Sequence, residues 1–264
     1  MLFYKAYELD PALDWVVFVH GAGGSSTIWY KQVRDFRKRC NVLLIDLRGH
    51  GQSASIRDVV RRGKYSFEDI GKEIIDVLDY LDIQSAHFVG ISLGSVLIRI
   101  LAEEYPSRVK TLILGGAILR LNFRSRLLVT LGNLTKYVVP YMILYKFFAW
   151  IIMPRSNHRE SRRLFAREAQ KLCQKEFLRW FKLTHEINPV LRFMREKEIA
   201  TPSLYLMGEQ DHLFLPAVQR QVARHRNSEL FVIAGAGHVC NVETPDLFNS
   251  SALAFLSRHG SIAA

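Results

Sequence analysis

The sequence predicts an α/β protein, a mostly parallel sheet with helices on both faces, and three observations predict it. Short continuous apolar runs rich in β-branched residues, such as Trp15-Val16-Val17-Phe18-Val19 and Thr111-Leu112-Ile113-Leu114, have the composition of strands covered on both faces. Helical patterns alternate with these runs at the spacing of right-handed βαβ units. The runs end in short turns, several of them rich in glycine, and ligands of open α/β sheets bind at that edge.

Taken in order, residues 2–9 read as an opening strand and Asp10-Pro11 as a turn. The run at 15–19 delivers His20-Gly21-Ala22-Gly23-Gly24-Ser25-Ser26, whose small residues let backbone amides approach a ligand. A helix near 30–38 leads to the strand Val42-Leu43-Leu44-Ile45, which ends in Asp46-Leu47-Arg48-Gly49-His50-Gly51-Gln52-Ser53. Ser66 with Asp69 three residues on is a capping-box pattern. Phe67, Ile70, Ile74, Val77, Leu78 and Leu81 then mark one helical face. The next strand, Ala86-His87-Phe88-Val89, runs into Gly90-Ile91-Ser92-Leu93-Gly94 and a helix that must stop before Pro106. After the strand at 111–114 the rhythm breaks. Residues 119–196 hold helical patterns without a clear strand, and alternation resumes at Pro202-Ser203-Leu204-Tyr205-Leu206-Met207. The expected organisation is a core of residues 1–118 and 197–264 with a helical cap at 119–196. A helix near 215–225, the strand 229–233 and a last helix follow, with Thr244 as its cap and Pro245 at its first position.

A chain of 264 residues suits one large domain with an insertion. The formal net charge of +11 is concentrated: residues 119–200 hold 17 Lys and Arg against 6 Asp and Glu, and the remainder balances. The basic segment is also rich in Leu, Ile, Phe, Tyr and Trp and carries no zinc-ligand spacing or nucleic-acid signature, so nucleic acid is not the expected partner. Cys40, Cys173 and Cys240 are odd in number and far apart, which fits a reducing compartment and no metal cluster. Cys240 reads as a small core residue. Met1-Leu2-Phe3-Tyr4-Lys5 lacks the pattern of a secretory signal, and the expected location is the cytoplasm.

The chemistry centres on Gly90-Ile91-Ser92-Leu93-Gly94, a G-x-S-x-G sequence between strand and helix. A serine on so sharp a turn sits in a strained conformation with its hydroxyl exposed, and close chain passage leaves no room for a Cβ at its flanks. Ser92 is the candidate nucleophile. A serine hydroxyl needs a base, and the base needs a group that holds its tautomer. Asp211, in Gly208-Glu209-Gln210-Asp211, and His238, in Gly235-Ala236-Gly237-His238, each follow a strand, so both fall at the same sheet edge as Ser92. The order Ser, Asp, His is the one this fold uses. Gly115-Gly116-Ala117 offers no rival acid. The oxyanion donors are expected to be the amide of Leu93 and one from the 20–24 loop, Ala22 being favoured over Gly23; each is worth roughly 2.7–4 kcal/mol in the transition state. His20 reads as a loop-orienting residue.

These motifs, from His20-Gly21-Ala22-Gly23-Gly24 through Asp46 to Ser53, Gly90 to Gly94, Gly208 to Asp211 and Gly237-His238, resemble the α/β-hydrolase superfamily over nearly the whole chain. The resemblance implies an eight-stranded, mostly parallel sheet, a lid after the sixth strand, and no cofactor. It makes residues 46–53 a structural loop, so Asp46, Arg48 and His50 are not expected to be catalytic. The sequence departs from the pattern in its short N-terminal region and at Ser95, where many members have glycine. A serine nucleophile argues against the haloalkane dehalogenase and epoxide hydrolase branches.

The most apolar stretch, Tyr137 to Met153, is broken by Pro140 and Lys146 and is short for a membrane span. It reads as lid helices lining an apolar acyl pocket. With Arg124, Arg126, Lys136 and Arg155 nearby and no acid between Ile118 and His158, contact with an anionic membrane is the second reading. The expected function is a serine hydrolase of apolar esters that favours medium-chain over acetyl groups. The alternatives are a carbon–carbon bond hydrolase or lyase on the same scaffold, and a slow-turnover receptor. A dinucleotide-binding reading of Gly21-x-Gly23 with Asp46 fails at Ser26, where the third glycine belongs.

Overall fold

The structure is a computed structural model that describes residues 1–55, 65–185 and 187–263. The chain runs β1 (Tyr4–Tyr7), β2 (Trp15–Val19), α1 (Tyr30–Phe36), β3 (Asn41–Ile45), α2 (Phe67–Tyr80), β4 (Ala86–Ile91), α3 (Leu93–Glu104) and β5 (Val109–Gly115). The helices α4 (Phe123–Thr135), α5 (Tyr141–Ile152), α6 (Arg159–Ala169), α7 (Gln174–His185) and α8 (Asn188–Glu196) follow without a strand. The alternation then closes with β6 (Ser203–Gly208), α9 (Leu215–Val222), β7 (Ser228–Ile233), the short α10 (Cys240–Glu243) and α11 (Pro245–Leu256).

Among the described residues seven strands form one sheet in the order β1-β3-β2-β4-β5-β6-β7. All pairs are parallel except β1 with β3, where Tyr4 faces Ile45 and Tyr7 faces Val42. The expected eighth strand is not among them: the chain before Trp15 supplies one strand, which pairs directly with β3 and leaves no hairpin partner. Side chains alternate across the pleat, so β2 sends Val17 and Val19 into one core layer and Val16 and Phe18 into the other. The first layer lies under α2 and α3, the second under α1 and α11. A third apolar cluster, with Leu144, Tyr145, Phe177 and Phe181, belongs to the helical interval alone. Arg195 Nη1 donates to Leu119 O at 2.7 Å, joining the two ends of that interval.

Local signals placed the element ends well. Ser66 Oγ accepts from the amide of Asp69 at 3.0 Å, the cap its sequence announces. Thr244 differs from expectation: its hydroxyl donates back to Cys240 O at 3.1 Å rather than capping α11. The unanticipated turn of α10 leaves that carbonyl within reach of the hydroxyl. No helix among the described residues is long and apolar enough to cross a membrane.

Candidate active site

Ser92 sits between β4 and α3 with φ +55° and ψ −120°, a conformation side chains rarely adopt. The strand-to-helix turn imposes it, because α3 must fold back against β2 at once. A Cβ on Gly94 would lie 2.3 Å from Val19 O and 2.7 Å from His20 O, so only glycine lets the two chains pass. The amide of Ser92 donates to Gly115 O at 2.9 Å, tying the turn to the end of β5. Ser95, at the departure from the family pattern, donates its hydroxyl to Ser92 O at 2.6 Å.

The loops after β6 and β7 bring Asp211 and His238 to this point. Asp211 is fully buried and accepts from the amide of Phe214 at 3.2 Å through Oδ1. Its Oδ2 lies 2.8 Å from His238 Nδ1, and His238 Nε2 lies 2.9 Å from Ser92 Oγ. With the carboxylate able only to accept, Nδ1 carries the proton and Nε2 presents its lone pair to the hydroxyl. The ring of Phe214 packs on the imidazole, centroids 5.1 Å apart. Such an arrangement can draw the hydroxyl proton onto the imidazole as Ser92 attacks an electrophile, and can hold the resulting imidazolium against a carboxylate.

The 20–24 loop is built around two buried histidines. Leu47 donates its amide to His20 Nε2 at 3.0 Å, and His20 Nδ1 donates to Gly21 O at 2.8 Å. His50 Nε2 accepts from the amide of Gly23 at 2.8 Å, while its Nδ1 donates to Arg48 O at 3.0 Å. Burial holds the His20 imidazole below its usual range, and burial together with His20 pushes His50 down to about 3. Both rings therefore stay neutral, and a neutral His50 is what the Gly23 amide needs as acceptor. The amides of Ala22 and Leu93 have no hydrogen-bond partner among the described residues, and both residues line the cavity beside Ser92. Asp46 links the neighbouring loops by accepting from Ser26 at 2.6 Å and Gln52 at 2.8 Å.

The helical interval reaches this site at points no sequence pattern announced. Tyr145 of α5 donates its hydroxyl to Ala22 O at 2.6 Å; burial pushes its phenol up, so it remains a donor. Trp180 of α7 donates to Arg48 O at 3.1 Å. His158, fully buried, lies 2.9 Å from Gln210 Oε1, beside Asp211, and a Cβ on Gly237 would strike it. Asn157 donates to Gly235 O at 2.8 Å. The histidine and tyrosine partners are single polar residues in apolar or mixed stretches, and only tertiary packing gives them meaning. Cys240 is buried against Leu206 O and burial pushes its thiol up to about 12, which makes it a core residue, not a nucleophile.

Above Ser92 and His238 lies a cavity of about 180 Å³. Its walls come from α4 (Leu128, Val129), α5 (Phe148, Ile152) and α7 (Phe177, Phe181), and among the described residues no Asp, Glu, Lys or Arg lines it. No cluster of three or more His, Cys, Asp or Glu that could hold a metal occurs among the described residues.

The fold and its sheet-edge loops define a class, and comparison with known proteins agrees. The family model for the alpha/beta hydrolase fold matches residues 14–139. The chain has the alpha/beta hydrolase fold. It is 25% identical over 264 residues to 3-oxoadipate enol-lactonase 2 of Acinetobacter baylyi, covering 94% of this chain and 89% of that one. An uncharacterized carboxylesterase of Bacillus subtilis is 25% identical over 265 residues, covering 94% and 81%. The crystal structure of the enol-lactonase from Burkholderia xenovorans shares the fold, with a TM-score of 0.79 at 20% identity over 97% of this chain and 96% of that one.

Proposed function

We propose that this protein is a serine hydrolase that cleaves neutral carboxylic esters with an apolar acyl group through an acyl-enzyme. The carrying observation is the continuous hydroxyl–imidazole–carboxylate chain, Ser92 to His238 at 2.9 Å and His238 to Asp211 at 2.8 Å, opening on an apolar cavity. In this reading Ser92 attacks the carbonyl, His238 takes its proton and returns it to the leaving alcohol, and Asp211 holds the imidazole tautomer. The amides of Leu93 and Ala22 bind the oxyanion. Gly23 is set aside because its amide is already given to His50. Helices α4 to α8 act as a cap that covers the site and forms the acyl pocket.

The cavity favours this substrate class over charged ones. A site of about 150 Å³ lined by Leu, Ile and Phe holds a benzene-sized molecule, so this one suits acyl chains of about four to eight carbons. Each methylene buried contributes about 0.8 kcal/mol, or about fourfold in kcat/KM, until the pocket is full. A carboxylate on the acyl tail would find no cation there and would pay a desolvation cost of several kcal/mol.

A fluorophosphonate probe tests the nucleophile: it should label the native protein at Ser92 and leave Ser92→Ala unlabelled. A panel of p-nitrophenyl esters, thioesters, lactones and a carbon–carbon diketone then tests the reaction. Rising kcat/KM from acetyl to hexanoyl, with little turnover of the diketone or of a hemi-adipate ester, supports the reading. Flat or reversed chain-length dependence, or preference for the diketone, overturns it.

A further inference from the structure

The cap helices α4 and α5 are apolar on two opposite faces, and one of those faces looks into solvent. On α4, Phe123, Leu127, Leu131 and Leu134 recur at helical spacing and are 80%, 49%, 42% and 73% exposed. Ile143, Phe147 and Trp150 form the same stripe on α5, each exposed. The turn between the helices adds Tyr137 and Val138, also exposed. At 100° per residue, the side chains that line the cavity from each helix (Leu128 and Val129, Phe148 and Ile152) lie on the side opposite its stripe. Both stripes therefore point away from the pocket, and pocket lining does not account for them. Exposed apolar stripes of this extent mark an interaction site.

We propose that this face docks the protein on an anionic lipid bilayer. Charge selects that occupant. Residues 119–158 contain six Lys and Arg and no Asp or Glu. Arg126 and Lys146 are exposed on the two helices themselves, and Arg120 and Arg155 are exposed three residues outside the start of α4 and the end of α5. Lys136 is held over the rings of Tyr137 and Phe181, and the Arg124 side chain lies outside the described residues. Tyr137 and Trp150 supply amphipathic rings of the kind found at bilayer interfaces. A second copy seated face to face would oppose cations with cations and supply no acid from this segment, whereas phosphatidylglycerol-type headgroups supply the missing charge. Docked in this way, the protein would present its cap to the phase in which apolar esters dissolve. The docking goes beyond the proposed hydrolysis and stands or falls separately from it.

The test uses Ser92→Ala protein, so binding is read without turnover. Flotation with vesicles of phosphatidylcholine alone and of phosphatidylcholine mixed with phosphatidylglycerol should give at least about tenfold stronger partitioning to the anionic vesicles. Raising ionic strength should erase most of that difference. Leu134→Asp and Trp150→Asp, both on the outer stripe, should abolish flotation, and in the Ser92 background should leave turnover of a soluble ester unchanged. Absence of flotation with either vesicle overturns the proposal, and so does equal binding to both. Self-association of the native chain in sedimentation that Leu134→Asp dissolves, without vesicle binding, assigns the face to a second copy and overturns it too.

Discussion

Tyr145 donates its phenolic hydroxyl to the carbonyl of Ala22 at 2.6 Å, fastening a helix of the interval 119–196 to the loop that borders Ser92. The peptide that Tyr145 grips begins at Ala22, which lines the cavity beside the serine and whose own amide has no hydrogen-bond partner among the described residues. Helix position and loop geometry are thereby coupled through one hydrogen bond.

Tyr145→Phe isolates that bond, because the ring can keep its packing on Phe165 at 4.6 Å. Removing a buried hydrogen bond of this kind costs about 1 kcal/mol, with the Ala22 carbonyl left to find water. The expected result is a fall of about fivefold or more in kcat with KM little changed, since the loop matters most once charge develops on the substrate oxygen. Steady-state kinetics on one ester measures the split; a rise in KM alone would assign Tyr145 to substrate binding instead.

Asp211→Asn should lower kcat by about 10⁴-fold. The amide can donate a proton to Nδ1 and stabilise the tautomer that leaves Nε2 protonated, facing Ser92 with a donor where an acceptor is needed. The fold should survive, because the Asn carbonyl can still accept from Phe214, so thermal unfolding near that of the native protein accompanies the loss. A decrease under tenfold would move the acid elsewhere.

Acid should destabilise the fold through its buried imidazoles. His20, His50 and His87 all lie below their usual range, each chiefly through burial. In the unfolded chain these rings take up protons as pH falls through about 6.5, while in the folded protein burial keeps each neutral to a lower pH, down to about 3 for His50. Stability is therefore fully present above pH 6.5 and decreases below it, by up to roughly 1.4 kcal/mol per pH unit for each ring. Urea midpoints measured from pH 7 to pH 5 should fall, and His50→Gln should flatten the slope. An unchanged slope would remove His50 from the account.

Leu128→Trp narrows the cavity from the α4 wall without touching the polar groups. The chain-length optimum should shift from hexanoyl toward butyryl or acetyl, with kcat for the short esters largely kept. Competition between ester pairs gives the ratio directly, and an unmoved optimum would place the acyl chain elsewhere.

Gly94→Ala should be among the most damaging single changes. Its Cβ would enter within 2.3 Å of Val19 O, and backbone cannot yield as a flexible side chain can. A loss of about 3 kcal/mol or more, read as a lowered unfolding midpoint, is expected from overpacking at such a site.

Much of this molecule is local. Continuous apolar, β-branched runs made β2 and β5, Ser66 started α2, and Pro106 ended α3, because each signal acts within a few residues of itself. The placement of Ser92, Asp211 and His238 in three loops at one sheet edge also followed from the sequence, since parallel strands must all end on the same side. Tertiary structure alone decided the rest. Ser92 and His238 are 146 residues apart in the chain and 2.9 Å apart in space, a distance set by loop closure that periodicity does not encode. It also decided that Gly23 spends its amide on His50, that Tyr145 rather than another aromatic of α5 holds Ala22, and that β1 pairs with β3 without an eighth strand among the described residues. The apolar character of α4 and α5 was plain from composition; which side lines the pocket and which meets solvent depends on how the helices are rotated when they pack.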